Sequence, residues 1–225
     1  MSTVGPWDRD PKAAMALLLL TAAAGGLDAT AFLHIGGTFV SNQTGTIVLL
    51  AISVTDASAV NTVAALTSLA CFLLGVAAAG RYLLKAGELE PWPPGTPLAV
   101  LLELVLVAVC AVIISTTHLT PAFGVAPIAL AMGMQAALAK RIGLPYLTTG
   151  FITGSTTSMI MKSPAADRSD RWWWYGAIPI AVMAVGALAT AVLGSQSVVA
   201  ALALVGAAMG AAAWKTRGGL RRAHE

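Results

Sequence analysis

The side chains best able to do chemistry in this chain are few, and they stand in apolar surroundings. Asp28 lies in GGLDATAFLHI and is followed by Asn42, Gln43, Thr44 and Gly45. Gln135 lies in MGMQAALAKRI and is followed by Thr148, Thr149, Gly150, Thr153 and Gly154. Hydroxyls and amides of this kind either cap a helix start or contact a solute. Glycine lets a backbone approach closely. A carboxylate in an apolar segment marks a pathway, a proton relay or a partner site. For Asp28 two readings stand side by side. One is proton coupling; the other is a structural hydrogen bond to a neighbouring helix or to the loop 36–43.

Nothing in the chain points to catalysis, so no enzyme is expected. No nucleophile and base stand at a recognisable spacing, and no glycine-rich phosphate loop follows a strand. His34, His118 and His224 are far apart. No His, Asp and Glu cluster suggests a metal, and no cofactor is expected. Cys71 and Cys110 lie inside apolar runs, where a small buried thiol is ordinary and a disulfide is not expected.

The elements that must position these groups follow from composition. Of 225 residues, 57% are hydrophobic and 10% charged, with a mean hydropathy of +0.81. A soluble domain is about a quarter charged. So few charges cannot cover a surface that faces water, which leaves the lipid bilayer. The net charge of +3 does not indicate nucleic acid, because the basic residues stand at the ends of apolar segments.

A spanning helix needs about 20 apolar residues. Six segments qualify, at about 12–35, 59–85, 97–118, 122–142, 172–193 and 196–215. Trp172, Trp173, Trp174 and Tyr175 read as an interfacial aromatic belt. Two shorter apolar segments remain, at about 44–55 and 152–163. Each is about 18 Å of helix, too short for a core of about 30 Å. Each follows a Gly, Thr and Asn-rich stretch, so both are expected to be re-entrant. With six spans and a cytoplasmic N-terminus, all 13 Lys and Arg residues fall on one face. An eight-span alternative puts Arg81, Lys85, Lys140 and Arg141 outside, against the positive-inside bias.

The two polar loops belong to an internal repeat. Setting Asp28 against Gln135 aligns Gly36 with Gly143 and Phe39 with Tyr146. Two extra residues in the second copy bring Thr44-Gly45 onto Thr153-Gly154. The expected fold is therefore all-α and integral to the membrane, with six transmembrane helices and two short re-entrant helices in two three-span repeats. The first repeat covers 12–118 and the second 122–215; a cytoplasmic tail lies at 1–11 and a basic tail at 216–225. An odd number of spans per repeat inverts the second copy, and inverted repeats build transporters and channels with sites near the midplane.

The expected function is transport or conduction of a polar or anionic small solute. The site is expected where the two helix N-termini meet, since such termini carry partial positive charge. Its residues are Asp28, Asn42, Gln43, Thr44, Gly45, Gln135, Thr149, Thr153 and Gly154. The alternative is a non-transporting assembly or interaction protein whose polar core only fixes packing. His34 reads as an interfacial polar residue. Glu103 is expected to pair with a basic residue at the inner face. Lys140 and Arg141 are expected to snorkel. Gly206 and Gly210 form a small-xxx-small face for close helix packing or a homodimer.

At these residues the chain also resembles a known family. Gly25-Gly26-x-Asp28, Phe39 and Asn42-x-Thr44-Gly45, with Met132-Gly133-Met134-Gln135, Thr148-Thr149 and Thr153-Gly154, resemble the YoaK-type proteins of the bacterial inner membrane. Thr46 departs from that pattern, which is expected to carry Asn there. The resemblance implies a multi-span bacterial membrane protein and supplies no substrate. The topology is testable in whole cells: a cysteine at position 85 should stay unlabelled by an impermeant reagent added outside. Labelling from that side would contradict the six-span arrangement.

Overall fold

The computed structural model describes residues 7, 10–56, 58–84, 96–116, 120–144, 147, 149, 154, 157 and 173–216. Seven α-helices are found there: α1 (Pro11–Thr30), α2 (Gln43–Thr55), α3 (Thr62–Leu84), α4 (Thr96–Thr116), α5 (Pro121–Ile142), α6 (Trp173–Gly194) and α7 (Val198–Thr216). A π-helical turn, Ala31–Ile35, extends α1. Six of these helices are long and apolar enough to cross a membrane, and the 13-residue α2 is not. The expected spans are matched to within a few residues. Of the second short segment, 152–163, only Gly154 and Thr157 are among the described residues, and both are helical.

Local chemistry sets the ends of these helices. Asp10 caps α1 by accepting from the Ala13 amide at 2.9 Å, with Pro11 at the first helical position. Asn42 caps α2 by accepting from the Gly45 amide at 3.2 Å. Pro121 opens α5, and Gly143 closes it with φ of 65°, the left-handed conformation that glycine adopts without strain.

The helices α1 and α5 are buried over most of their length, while the others present one side outward. The dominant contacts are α3 with α5 and α1 with α6. Next come α1 with α7 and α4 with α5, then α4 with α7. Close approach at the two largest contacts depends on glycine. A β-carbon on Gly133 of α5 would run into the Phe72 carbonyl of α3, and one on Gly75 into the Leu130 carbonyl. At the other contact, a β-carbon on Gly186 of α6 would run into the Ala22 carbonyl of α1, and one on Gly25 into the Met183 carbonyl. Backbone meeting backbone in this way maximises dispersion where no hydrophobic force acts between helices in lipid.

Within the chain, the glycines of the last helix make no such close crossing. Gly206 has only Leu104 nearby, with a β-carbon 3.7 Å from that side chain, and Gly210 has nothing within 4 Å. The tight crossings use Gly25, Gly75, Gly133 and Gly186 instead.

Chain direction follows from which ends touch. A β-carbon on Gly36, just past the π-helical turn, would lie 2.9 Å from Ala64 and 3.6 Å from Pro121. The starts of α3 and α5 therefore share a face with the end of α1. Gly194, at the end of α6, packs on His34. His34 is half-buried in the last turn of the first span, with its Nε2 against Gly194 and without a hydrogen-bond partner. All five Lys and Arg among the described residues, Lys12, Arg81, Lys140, Arg141 and Lys215, stand at the opposite ends of their helices.

The tight crossings predict a pattern of substitution effects. Gly133→Val and Gly186→Val should each destabilise the protein by about 1–3 kcal/mol, the usual cost of overpacking. Gly210→Val should leave stability nearly unchanged. Thermal unfolding in detergent checks this, and equal effects at all three positions would contradict the packing described.

Candidate functional site

The polar centre of the first half is built on one carboxylate. Asp28 is 6% exposed and receives three hydrogen bonds. The Val40 and Ser41 amides donate to Oδ1 at 2.8 and 2.7 Å, and the Ser41 hydroxyl donates to Oδ2 at 2.6 Å. Of the two sequence readings, the hydrogen bond to the 36–43 loop is the one observed. Asp28 precedes the end of the π-helical turn by seven residues, about 10 Å of helix. The loop has therefore turned back beside α1 by that distance before α2 begins. After α2, Ala59 to Asn61 border the same cleft of about 370 Å³ as His34 and Gly37. The chain is then back beside the end of α1.

Around this clamp the loop's other groups are tied to α2 and α3. The Thr46 and Ser68 hydroxyls both donate to the Phe39 carbonyl, at 2.9 and 2.6 Å. The Gln43 amide nitrogen donates to the Val40 carbonyl at 3.0 Å and to the Ser68 hydroxyl at 3.4 Å. Its Oε1 is buried with no partner, as is the Thr38 hydroxyl. Thr44 is exposed and Gly45 half-buried at the start of α2. The Phe32 and Phe39 rings stack with centroids 5.0 Å apart. They border a groove of about 530 Å³ that also touches Gly25, Asp28, Asn42 and Met183, running between α1, the start of α2 and α6.

Gln135 is placed elsewhere. Its Nε2 donates to the Leu20 carbonyl of α1 at 3.1 Å, and its Oε1 is buried without a partner. Leu20 is eight residues below Asp28 on α1, about 12 Å along the axis. Asp28 and Gln135 therefore do not touch; Gln135 meets α1 at its middle, and Asp28 stands about two turns nearer its end. Thr149 is buried and Gly154 is exposed. Thr148, Gly150 and Thr153, together with Tyr146, lie outside the described residues. The meeting of Thr44 with Thr153 therefore also lies outside them.

Several contributing residues were missed in the sequence. Ser41, Ser68 and Phe32, the partner of Phe39, carry no spacing that marks them. Ser41 was legible at most as the hydroxyl adjoining the Asn42 cap. Thr190 of α6 was missed as well; it donates to the Gly26 carbonyl at 3.2 Å and so ties α6 to α1 two residues from Asp28. The expected pairing of Glu103 with a basic residue is not found. Both its carboxyl oxygens are buried and have no partner. Among the described residues, no group of three or more His, Cys, Asp or Glu could hold a metal.

The six long apolar helices define a multi-pass α-helical membrane protein. Its family is shown by sequence: residues 16–214 match the model for a protein family of unknown function, DUF1275, and the chain belongs to it. It is also 30% identical over 145 residues to the UPF0700 transmembrane protein YoaK of Bacillus subtilis (strain 168). That alignment covers 64% of each chain, so the chain spans just under two thirds of this relative's length. No solved structure matches.

The clamp predicts the effect of its removal. Asp28→Ala strands three buried donors, each costing about 1–3 kcal/mol. The variant should unfold at lower temperature, and the Val40 and Ser41 amides should lose protection against hydrogen exchange. Unchanged protection would show that the carboxylate does not hold the loop.

Proposed function

We propose that this protein is a small transporter or channel for a polar solute, with its site at the polar loop beside the groove between α1 and α6. The observation that carries the reading is the loop itself. A stretch of non-helical backbone lies about 10 Å inside the end of an apolar spanning helix. Such backbone is tolerated at that depth only when buried in protein or lining a wet cavity. On this reading α2 is re-entrant, and the segment 152–163 is its counterpart.

The inverted repeat belongs to the same proposal. Exchanging α1 with α5, α3 with α6 and α4 with α7 turns the α1–α6 contact into α5–α3. It turns α1–α7 into α5–α4 and leaves α4–α7 unchanged. The glycine pair at α3–α5 has its counterpart at α1–α6. The helix α1 runs toward the face where α5 begins, as inversion requires. The basic helix ends all lie on the other face, which supports placing it, with both termini, in the cytoplasm of a bacterial inner membrane.

The solute's chemistry is argued from what is left unbonded. Asp28 has consumed the Val40 and Ser41 amides, and Asn42 has taken one donor of the α2 start. Beside the loop the unbonded groups are Gln43 Oε1, an acceptor, and the Thr38 hydroxyl. A solute that donates hydrogen bonds, carried with water, satisfies them. An anion instead requires the donors at the start of the second short helix, around Thr153. The saturated clamp at Asp28 favours one competing reading, a non-transporting membrane protein in which the polar core is structural. No enzymatic activity is proposed.

Flux separates these readings. In a proteoliposome uptake screen of small anions, amines and neutral metabolites, one solute class should enter faster than in empty liposomes. Thr44→Ala and Gln43→Ala should each slow that entry several-fold with the fold intact. Unchanged flux in both variants would remove the proposed site. No flux for any class, with correctly folded protein, would favour the structural reading.

A further inference from the structure

The buried acid that the loop site does not use is Glu103. It stands on α4 among Thr96, Ala99, Val100, Val107 and Cys110, the buried stripe of that helix. These positions recur at the three- and four-residue spacing of a single helix face. The helices packed on α4 are α5 and α7. Glu103 is 0% exposed, and neither carboxyl oxygen has a hydrogen-bond partner. The contrast with Asp28 is direct: one acid accepts from three donors, the other from none.

No charged side chain among the described residues bonds to it. Among the described residues, the charged groups on α5 are Lys140 and Arg141 and the one on α7 is Lys215, all in the last turns of their helices. None of them bonds to Glu103. The other titratable group on the stripe is the Cys110 thiol, buried two turns further along α4. An ionised carboxylate enclosed without a partner loses its hydration and gains nothing in return, whereas the neutral acid is far cheaper to enclose. In a membrane interior such a group marks a proton or ion site.

We propose that Glu103 is a proton-binding site inside the bundle, where its carboxyl group holds a proton between α4, α5 and α7. The step is proton transfer alone. The O–H bond breaks when these helices part, its electron pair stays on the carboxylate oxygen, and the proton passes to water. Asp28 is poorly suited to this role, because a proton on its carboxylate would compete with the three donors that hold the loop. If the transport reading above holds, proton coupling then runs through Glu103, and only this last clause rests on that reading.

Infrared spectra of the full chain in lipid nanodiscs test the proposal. At neutral pH, wild type minus Glu103→Gln should show the carbonyl stretch of a protonated acid, shifted in heavy water and equally present in Asp28→Asn. That band should give way to carboxylate bands as the pH is raised. Carboxylate bands already present at neutral pH would overturn the proposal. A second measurement needs no variant: dicyclohexylcarbodiimide adds to protonated carboxyl groups in apolar surroundings. Mass spectrometry of wild-type protein should find the adduct on Glu103, with a yield that falls several-fold at alkaline pH. Absence of the adduct, or a yield indifferent to pH, would overturn it. Neither readout needs flux, so a failure of the transport reading remains distinct from a failure of the proton site.

Discussion

The Asp28 carboxylate holds the rest of the first half in place. A loop that turns back beside an apolar helix brings backbone amides with it, and apolar side chains offer them nothing. Asp28 supplies acceptors for two of those amides and for the Ser41 hydroxyl. The bond is mutual, since the same donors solvate a carboxylate that the membrane would otherwise penalise. With residues 40 and 41 anchored, Asn42 can cap α2, and Phe39 presents its carbonyl to Thr46 and Ser68. Remove the carboxylate, and the start of α2 has no reason to lie beside α1.

The bundle around this clamp is organised by close backbone contact. The two largest interfaces, α1–α6 and α3–α5, both use glycines to bring backbones together. Both flank the central helices α1 and α5. The π-helical turn begins three residues after Asp28, and its wider hydrogen-bond ring closes from the Gly36 amide to the Ala31 carbonyl at 2.9 Å. Such turns often occur at functional positions. Here the turn carries Phe32 onto Phe39 at the edge of the groove. It also brings His34 against Gly194, which joins the end of α6 to the end of α1.

Much of this was legible from residue type and spacing. The spans follow from apolar length, and the cap at Asn42 from side-chain chemistry. The link from Asp28 to the following loop was one of two sequence readings, because a membrane carboxylate must find donors and the loop was the nearest source. What was not legible depends on how helices turn against one another. Glu103 was expected to reach a basic partner, but α4 turns that position toward α5 and α7 in the core. The His34 ring meets Gly194, 160 residues away in sequence, which encloses its Nε2. In helices full of alanine and glycine, spacing alone singled out Gly206 and Gly210, while the crossing geometry uses four others.

The central claim is that α2 enters and leaves the membrane on one side. Two exposed positions bracket it, Gly37 before and Ser58 after. The chain has only two native cysteines, Cys71 and Cys110, so a cysteine-free background is simple to make. Single cysteines at 37 and 58 can then be challenged with an impermeant maleimide from one side of intact cells or sealed vesicles. The account predicts that both react from the same face. Reaction from opposite faces would make α2 a full crossing and contradict it.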